Sequence, residues 1–232
     1  MMTQDSELAN SPTTQGPKEK IDTFAFQAGA EGNEIGLLLE SPGDEEIRQN
    51  KPLSGPTLLN FECLRSVINL QNNYALAQEL EKDKITIVNV CNERIDKSKR
   101  WQSLRKIRKG DCGNRAKEIE EKISHCTRLM CFGQIACEMT RELQKRTIVC
   151  LPYLGNRGLG RIQMQSQDKR NKTLYKLEMI GTFLSSVLKK DGYFGWNDMV
   201  QYWKEKTGES VSWRSGDGGN GPNWMCPREH KA

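Results

Sequence analysis

The apolar residues of this chain come in short runs, and that limits its fold more than any motif does. No stretch approaches the roughly 18 apolar residues that a membrane-spanning helix needs. The longest candidate, Leu177 to Leu188, is interrupted by Glu178, Gly181, Ser185 and Ser186. A core must therefore be assembled from separate elements, each signalled by the period of its apolar positions. The 232 residues allow one domain with a tail or two small ones. A hydrophobic content of 36% with a mean hydropathy of -0.72 predicts that part of the chain stays outside any core.

Charge divides the chain. Residues 1–57 carry 10 acidic and 4 basic side chains, a net of −6, whereas residues 58–232 carry 31 basic and 20 acidic, a net of +11. Ser11-Pro12, Gly16-Pro17, Ser41-Pro42-Gly43-Asp44 and Gly55-Pro56 punctuate the acidic part. Such breakers with weak apolar content predict a disordered acidic leader over 1–56. Its apolar patch Ile35 to Leu39 is expected to dock on the body or on a partner. On this reading, deleting residues 1–50 leaves the body folded. Met1 to Lys20 has neither a basic n-region nor an apolar h-region, so no signal peptide is expected. The eight cysteines are scattered from Cys63 to Cys226, and the expected reducing compartment argues against structural disulfides. The Asn171-Lys172-Thr173 sequon is then a chance match.

Helical spacing of Leu58, Phe61, Leu64 and Ile68 after Pro56 predicts a helix from Thr57 to about Asp83, with a break near Asn72-Asn73. Ile85 to Val90 reads as a strand or a buried connector. A second, longest helix is predicted from Asn114 to about Lys145, weakened at Gly133. Thr147–Leu154 and Arg161–Gln165 read as a hairpin turned by Gly155-Asn156-Arg157-Gly158-Leu159-Gly160. Thr173 to Lys189 and Trp196 to Lys206 read as helices, the latter capped by Gly208, and Val211 to Trp213 as a last strand. The fold class predicted is mainly α with a few short strands (α+β). The body spans 57–214, divisible into a helical half 57–145 and a small α+β half 146–214, followed by a flexible tail 215–232.

Two basic segments carry the functional signal. From Cys91 to Lys117, Arg94, Lys97, Lys99, Arg100, Arg105, Lys106, Arg108, Lys109, Arg115 and Lys117 face only Glu93, Asp96 and Asp111. Like charges so crowded repel one another, and a polyanion offsets that cost by releasing its counterions. Trp101 within the cluster offers a ring on which an unpaired base stacks. Lys97–Arg100 and Arg105–Lys109 also fit an import signal or a solvated face. The second segment, Arg157 to Lys176, holds six basic residues against Asp168. There Gly155, Gly158 and Gly160 would let the backbone approach phosphate beside Arg157 and Arg161, although the Gly-Lys-Ser/Thr ending of a phosphate-binding loop is missing.

Phe61, Leu64, Ile68 and Leu70 fit a leucine-rich export signal, a pattern that core packing explains better. On one continuous helix, Cys126 and Cys137 would lie about 16 Å apart, too far for one zinc ion, and His125 would point about 100° away from Cys126. No metal site, cofactor or catalytic group is therefore expected. Gly192–Trp196, the following helix and Ser210–Arg214 resemble a helix-turn-helix-wing order. Asp198, Gln201, Lys204 and Lys206 on that helix are too mixed in charge for a groove reader. Trp196, Tyr202, Trp203 and Trp213 read instead as a small aromatic core or a protein-binding surface.

In organisation the chain is similar to small RNA-virus accessory and non-structural proteins. The function expected is a non-enzymatic, sequence-tolerant RNA-binding regulator in cytoplasm and nucleus. RNA or another polyanion, nuclear import and export carriers and a second copy of the chain are its expected partners. The competing expectation is a protein-interaction adaptor or matrix-like scaffold whose basic patch is an import signal or an acidic-lipid contact.

Overall fold

A computed structural model describes residues 26–92, 94–95, 102, 113–140, 143, 145–164 and 172–214. The elements follow in the order β1 (Phe26–Gln27), β2 (Ile35–Leu39), α1 (Asp44–Gln49), α2 (Gly55–Leu70), α3 (Tyr74–Glu79) and β3 (Thr86–Asn89). Next come α4 (Gly113–Lys122), β4 (Arg128–Phe132), α5 (Gln134–Met139), β5 (Thr147–Leu151), α6 (Asn156–Arg161) and β6 (Ile162–Met164). The last are α7 (Lys172–Val187), β7 (Gly192–Phe194), α8 (Trp196–Thr207) and β8 (Val211–Trp213). Six strands form one mixed sheet in the order β1-β3-β2-β4-β5-β7, and β6 pairs with β8 in a separate two-stranded ladder. All neighbours in the large sheet are parallel except β1, which runs antiparallel to β3.

The mainly helical expectation is thus corrected: this is an α/β fold with a central, mostly parallel sheet. Its two faces are both covered. Ile35, Leu37, Leu39, Ile87, Met130, Phe132, Val149 and Leu151 point to one face, where they meet α2, α7 and α8. Leu38, Val88, Leu129, Cys131, Ile148 and Cys150 point to the other, against α4 and α5. A strand buried on both faces has no polar alternate positions, so it reads as a continuous apolar run. That is why Leu129–Phe132 is legible only as part of a long helix. The predicted helix over 114–145 is in fact α4, β4 and α5.

The larger correction concerns the leader. Ile35, Leu37 and Leu38 are fully buried and Leu39 nearly so. β2 lies between β3 and β4, in register Leu37–Ile87 and Leu37–Met130. Gly36 is needed for space rather than flexibility. A Cβ there would sit 2.7 Å from Leu129 Cδ2 and 3.2 Å from Cys126 Sγ. Residues 26–56 therefore belong to the fold, and disorder is wrong for them; residues 1–25 and the predicted tail 215–232 lie outside the described residues.

The predicted hairpin is also replaced. β5 runs parallel to β4 and β7 inside the large sheet, the glycine-rich segment is helix α6, and β6 pairs with β8. The helix predicted over 57–83 breaks into α2 and α3 at Asn72, whose φ of 62° is left-handed. Phe61, Leu64 and Ile68 are buried while Leu70 is exposed, so the export-like pattern is largely core packing. Gly208 caps α8 at φ 74°, as its position predicts. Trp196 meets Trp213 edge to face at 5.4 Å, and Tyr175 meets Trp203 at 5.5 Å, so the C-terminal aromatics form a small core. The described cysteines Cys63, Cys91, Cys126, Cys131, Cys137 and Cys150 are all free. Among the described residues, no helix is long and apolar enough to cross a membrane.

Candidate nucleotide-binding cleft

The strand order puts β2 beside β4, while the chain leaves β2 toward β3 on one side and leaves β4 toward β5 on the other. Connections that diverge in this way leave a crevice at the carboxyl ends of the two strands, the usual ligand position in open α/β sheets. A cleft of about 1040 Å³ lies there, walled by Glu40, Ser41, Gly43 and Asp44 after β2 and by Gly133 after β4. Tyr153, Asn156, Arg157 and Arg161 close it from the β5 side, Trp213 from the small ladder, and Arg94 from the segment after β3.

The loop after β2 is held from below by Glu46. Its Oε2 accepts the N–H of Gly43 at 2.6 Å and its Oε1 accepts the N–H of Leu53 at 2.5 Å. Asn89, at the end of β3, donates to the same Oε1 at 3.4 Å. Burial lifts the Glu46 carboxyl above its ordinary value, and the Gly43 and Leu53 amides counter that only in part. A carboxyl with a raised folded-state pKa holds its proton more tightly in the fold. Its contribution to stability is then fullest below pH 4.5 and is lost as the pH rises through the folded-state value. Against the non-titrating Glu46→Gln variant, the wild type should lose urea resistance as the pH goes from about 4 to about 7. A difference in midpoint that stays flat over that range would remove the buried, proton-holding carboxyl from the account.

Glu40 sits at the junction itself. Its backbone carbonyl accepts the Cys91 N–H at 3.0 Å, which extends the β2–β3 ladder, and its Oε1 accepts the Ile135 N–H at 3.0 Å. Gly133 faces it with φ 98°, and a Cβ there would fall 2.4 Å from Glu40 Cγ. Tyr153 is wedged into the opposite wall, its hydroxyl 3.2 Å from Thr57 Oγ1. Burial pushes its phenol up, so the ring stays neutral. The glycines of the second basic segment have a different reason from the one expected. Cβ atoms at Gly155 and Gly158 would lie 2.5 Å from Tyr153 Cε1 and 1.9 Å from Tyr153 O, so these two make room for Tyr153. Gly160 faces open space.

The structure brings three of the expected binding residues together. Arg94 comes from the first basic segment and Arg157 and Arg161 from the second, and all three line the cleft. The ladder that Cys91 extends along Glu40 carries the chain back over β2, where Arg94 pairs with Asp44 at 2.5 Å. Both partners of that pair are largely exposed, so it holds the two loops together weakly. Lys97, Lys99, Arg100, Trp101, Arg105, Lys106, Arg108 and Lys109 lie outside the described residues. Arg115, the next cation of the same run, is spoken for. Its guanidinium donates to the carbonyls of Asn89 (2.6 Å) and Val90 (3.0 Å) and pairs with Glu118 at 2.9 Å, tying α4 to the end of β3.

Sequence reasoning missed Glu40, Ser41, Asp44, Tyr153, Asn156 and Trp213. The signal available was Ile35–Leu39 followed at once by Ser41-Pro42-Gly43, a buried strand running into a tight loop. For His125 and Cys126 the expected separation is corrected. With no continuous helix through them, His125 Nε2 lies 3.5 Å from Cys126 Sγ and 2.9 Å from Thr86 Oγ1. Burial pushes the Cys126 thiol up, which is the opposite of activation. Among the described residues, no group of three or more His, Cys, Asp or Glu side chains is arranged to hold a metal ion.

No family model matches the sequence, and no curated protein matches it either.

Proposed function

We propose that the protein binds single-stranded nucleic acid, RNA foremost, and takes one nucleotide of the strand into the cleft at the β2–β4 junction. The observation that carries this reading is the convergence of Arg94, Arg157 and Arg161 on one cleft from segments more than 60 residues apart. Arginines in the lining suit phosphate, which they grip with forked, charge-assisted hydrogen bonds. Tyr153 and Trp213 supply aromatic surface for a base. Glu40 and Asp44 supply carboxylates, which accept hydrogen bonds from the amino groups of bases. A pocket that takes a base admits it only from a single strand or from a nucleotide turned out of a duplex.

The triple change of Arg94, Arg157 and Arg161 to Ala tests this. Fluorescence anisotropy with short labelled RNA and DNA strands should show affinity falling at least about tenfold for every sequence, since charge-assisted hydrogen bonds contribute about 1.5–3 kcal/mol each. The log–log salt slope should flatten by about 0.7 for each phosphate that no longer meets a cation. Wild-type protein with no polynucleotide affinity at low salt would sink the proposal and leave the adaptor reading.

A second reading draws on Glu40. A carboxylate fixed by the Ile135 N–H inside a cleft of convergent polar groups suits a general base that takes a proton from an attacking water. On that reading the water oxygen forms a new P–O bond at a phosphodiester of the bound strand as the ester P–O bond breaks, and the departing alkoxide takes the proton that Glu40 received. Glu40→Gln would then keep strand affinity and abolish product formation, whereas a wild type that returns every bound strand intact excludes it.

A further inference from the structure

A second, smaller cavity of about 280 Å³ is lined by residues of α6, β6 and α7 and by Arg214 just after β8. Lys172, Lys176 and Arg214 line it, with Tyr175 and Gln163. The two cavities share a wall. Arg161 faces the cleft while Arg214 faces the smaller cavity, and the Arg214 N–H donates to the Arg161 carbonyl at 2.8 Å. Gly158 lines one and Gly160 the other.

Lys176 is the unusual member. The residue is only 9% exposed, and its Nζ donates to the Leu159 carbonyl at 2.7 Å. A lysine this buried normally has a counter-charge, and of the three donors of its ammonium one goes, among the described residues, to Leu159. A carboxylate of the same region, Glu209, is engaged elsewhere: it accepts the Tyr175 hydroxyl at 2.6 Å and the Trp203 indole N–H at 3.2 Å.

We propose that Lys172, Lys176 and Arg214 form a second anion subsite, which takes a phosphate of the same strand after it leaves the cleft. This rests on the nucleic-acid reading of the cleft. Burial and the neighbouring Lys172 push the Lys176 ammonium below the ordinary lysine range, and the attraction of an anion in the cavity would act against that shift. Arg161 and Arg214 flank the β6–β8 ladder at its Ile162–Trp213 end and are joined by their backbone hydrogen bond, so a strand leaving the cleft past Arg161 has Arg214 as its next neighbour.

The test uses the full chain and the double variant Lys172→Gln/Arg214→Gln, whose two sites are exposed and whose fold is checked by thermal melting. Anisotropy is measured with labelled single strands from one to ten nucleotides. Wild-type affinity should rise once the strand is long enough to reach the second cavity. The variant should lose that rise, about tenfold or more, lower its salt slope by about 0.7 for each phosphate set free, and keep mononucleotide affinity. An equal rise and slope in the variant overturns the subsite and leaves the cleft reading standing. Inorganic pyrophosphate separates the two ideas when the cleft is disabled by changing Arg94, Arg157 and Arg161 to Ala. In that background, phosphorus NMR line broadening that is lost on adding Lys172→Gln/Arg214→Gln supports the subsite even if no strand binds, whereas equal broadening with and without the two changes overturns it.

Discussion

Deletion of residues 1–50 is expected to abolish cooperative unfolding altogether. The deletion removes β2, and with it four aliphatic side chains that are fully or almost fully buried. Truncating one such side chain to Ala costs about 2–5 kcal/mol, so losing all four costs about 8–20 kcal/mol, as much as the roughly 5–15 kcal/mol by which a domain is stable. The backbone loss compounds this. β3 and β4 each pair with β2, so removing it strips a ladder from both and cuts the sheet in two. A circular dichroism melt of residues 51–232 should show a broad, non-cooperative change. A sharp transition near the full-length midpoint would mean that the sheet closes without its central strand, and the topology given above would be wrong.

Gly133→Ala is expected to damage stability and the cleft together. The residue has φ 98° and ψ 166°, a region that side-chain-bearing residues rarely adopt, at a cost of about 1–3 kcal/mol. The new methyl would also fall on Glu40, 2.4 Å from Cγ and 2.7 Å from Oε1, and must displace the carboxylate from the Ile135 N–H. Urea titration should show the lowered midpoint, and mononucleotide affinity should fall with it. Gly160→Ala is the matched control, because nothing lies within 4 Å of its Cβ position and the site is helical. It should leave both readouts near wild type. If Gly133→Ala behaves like the control, the loop is soft and Glu40 is not fixed by it.

What could be read from the residues depended on whether an element has one face or two. α8 shows its period because Met199 and Trp203 are buried while Asn197, Asp198, Gln201 and Lys204 are exposed. The β2 run of Ile-Gly-Leu-Leu-Leu has no such contrast, since every residue of it is buried. Short runs of this kind are ambiguous between a strand, a buried helix segment and a sticky patch, and the acidic surroundings tipped the balance toward a disordered leader. The basic segments were visible as charge. That Arg94 shares a cleft with Arg157 and Arg161 was not, because strand order alone creates that neighbourhood and no local pattern encodes strand order.

The large sheet ends in its shortest strands, β1 with two residues and β7 with three. An open edge invites another chain to add a strand, and the invitation scales with the length of unpaired backbone on offer. Here the long, apolar strands β2, β4 and β5 are each flanked on both sides, and what the described margins present is a pair of stubs. A sheet finished this way gives a newly made or partly opened molecule little template for sticking to its own kind.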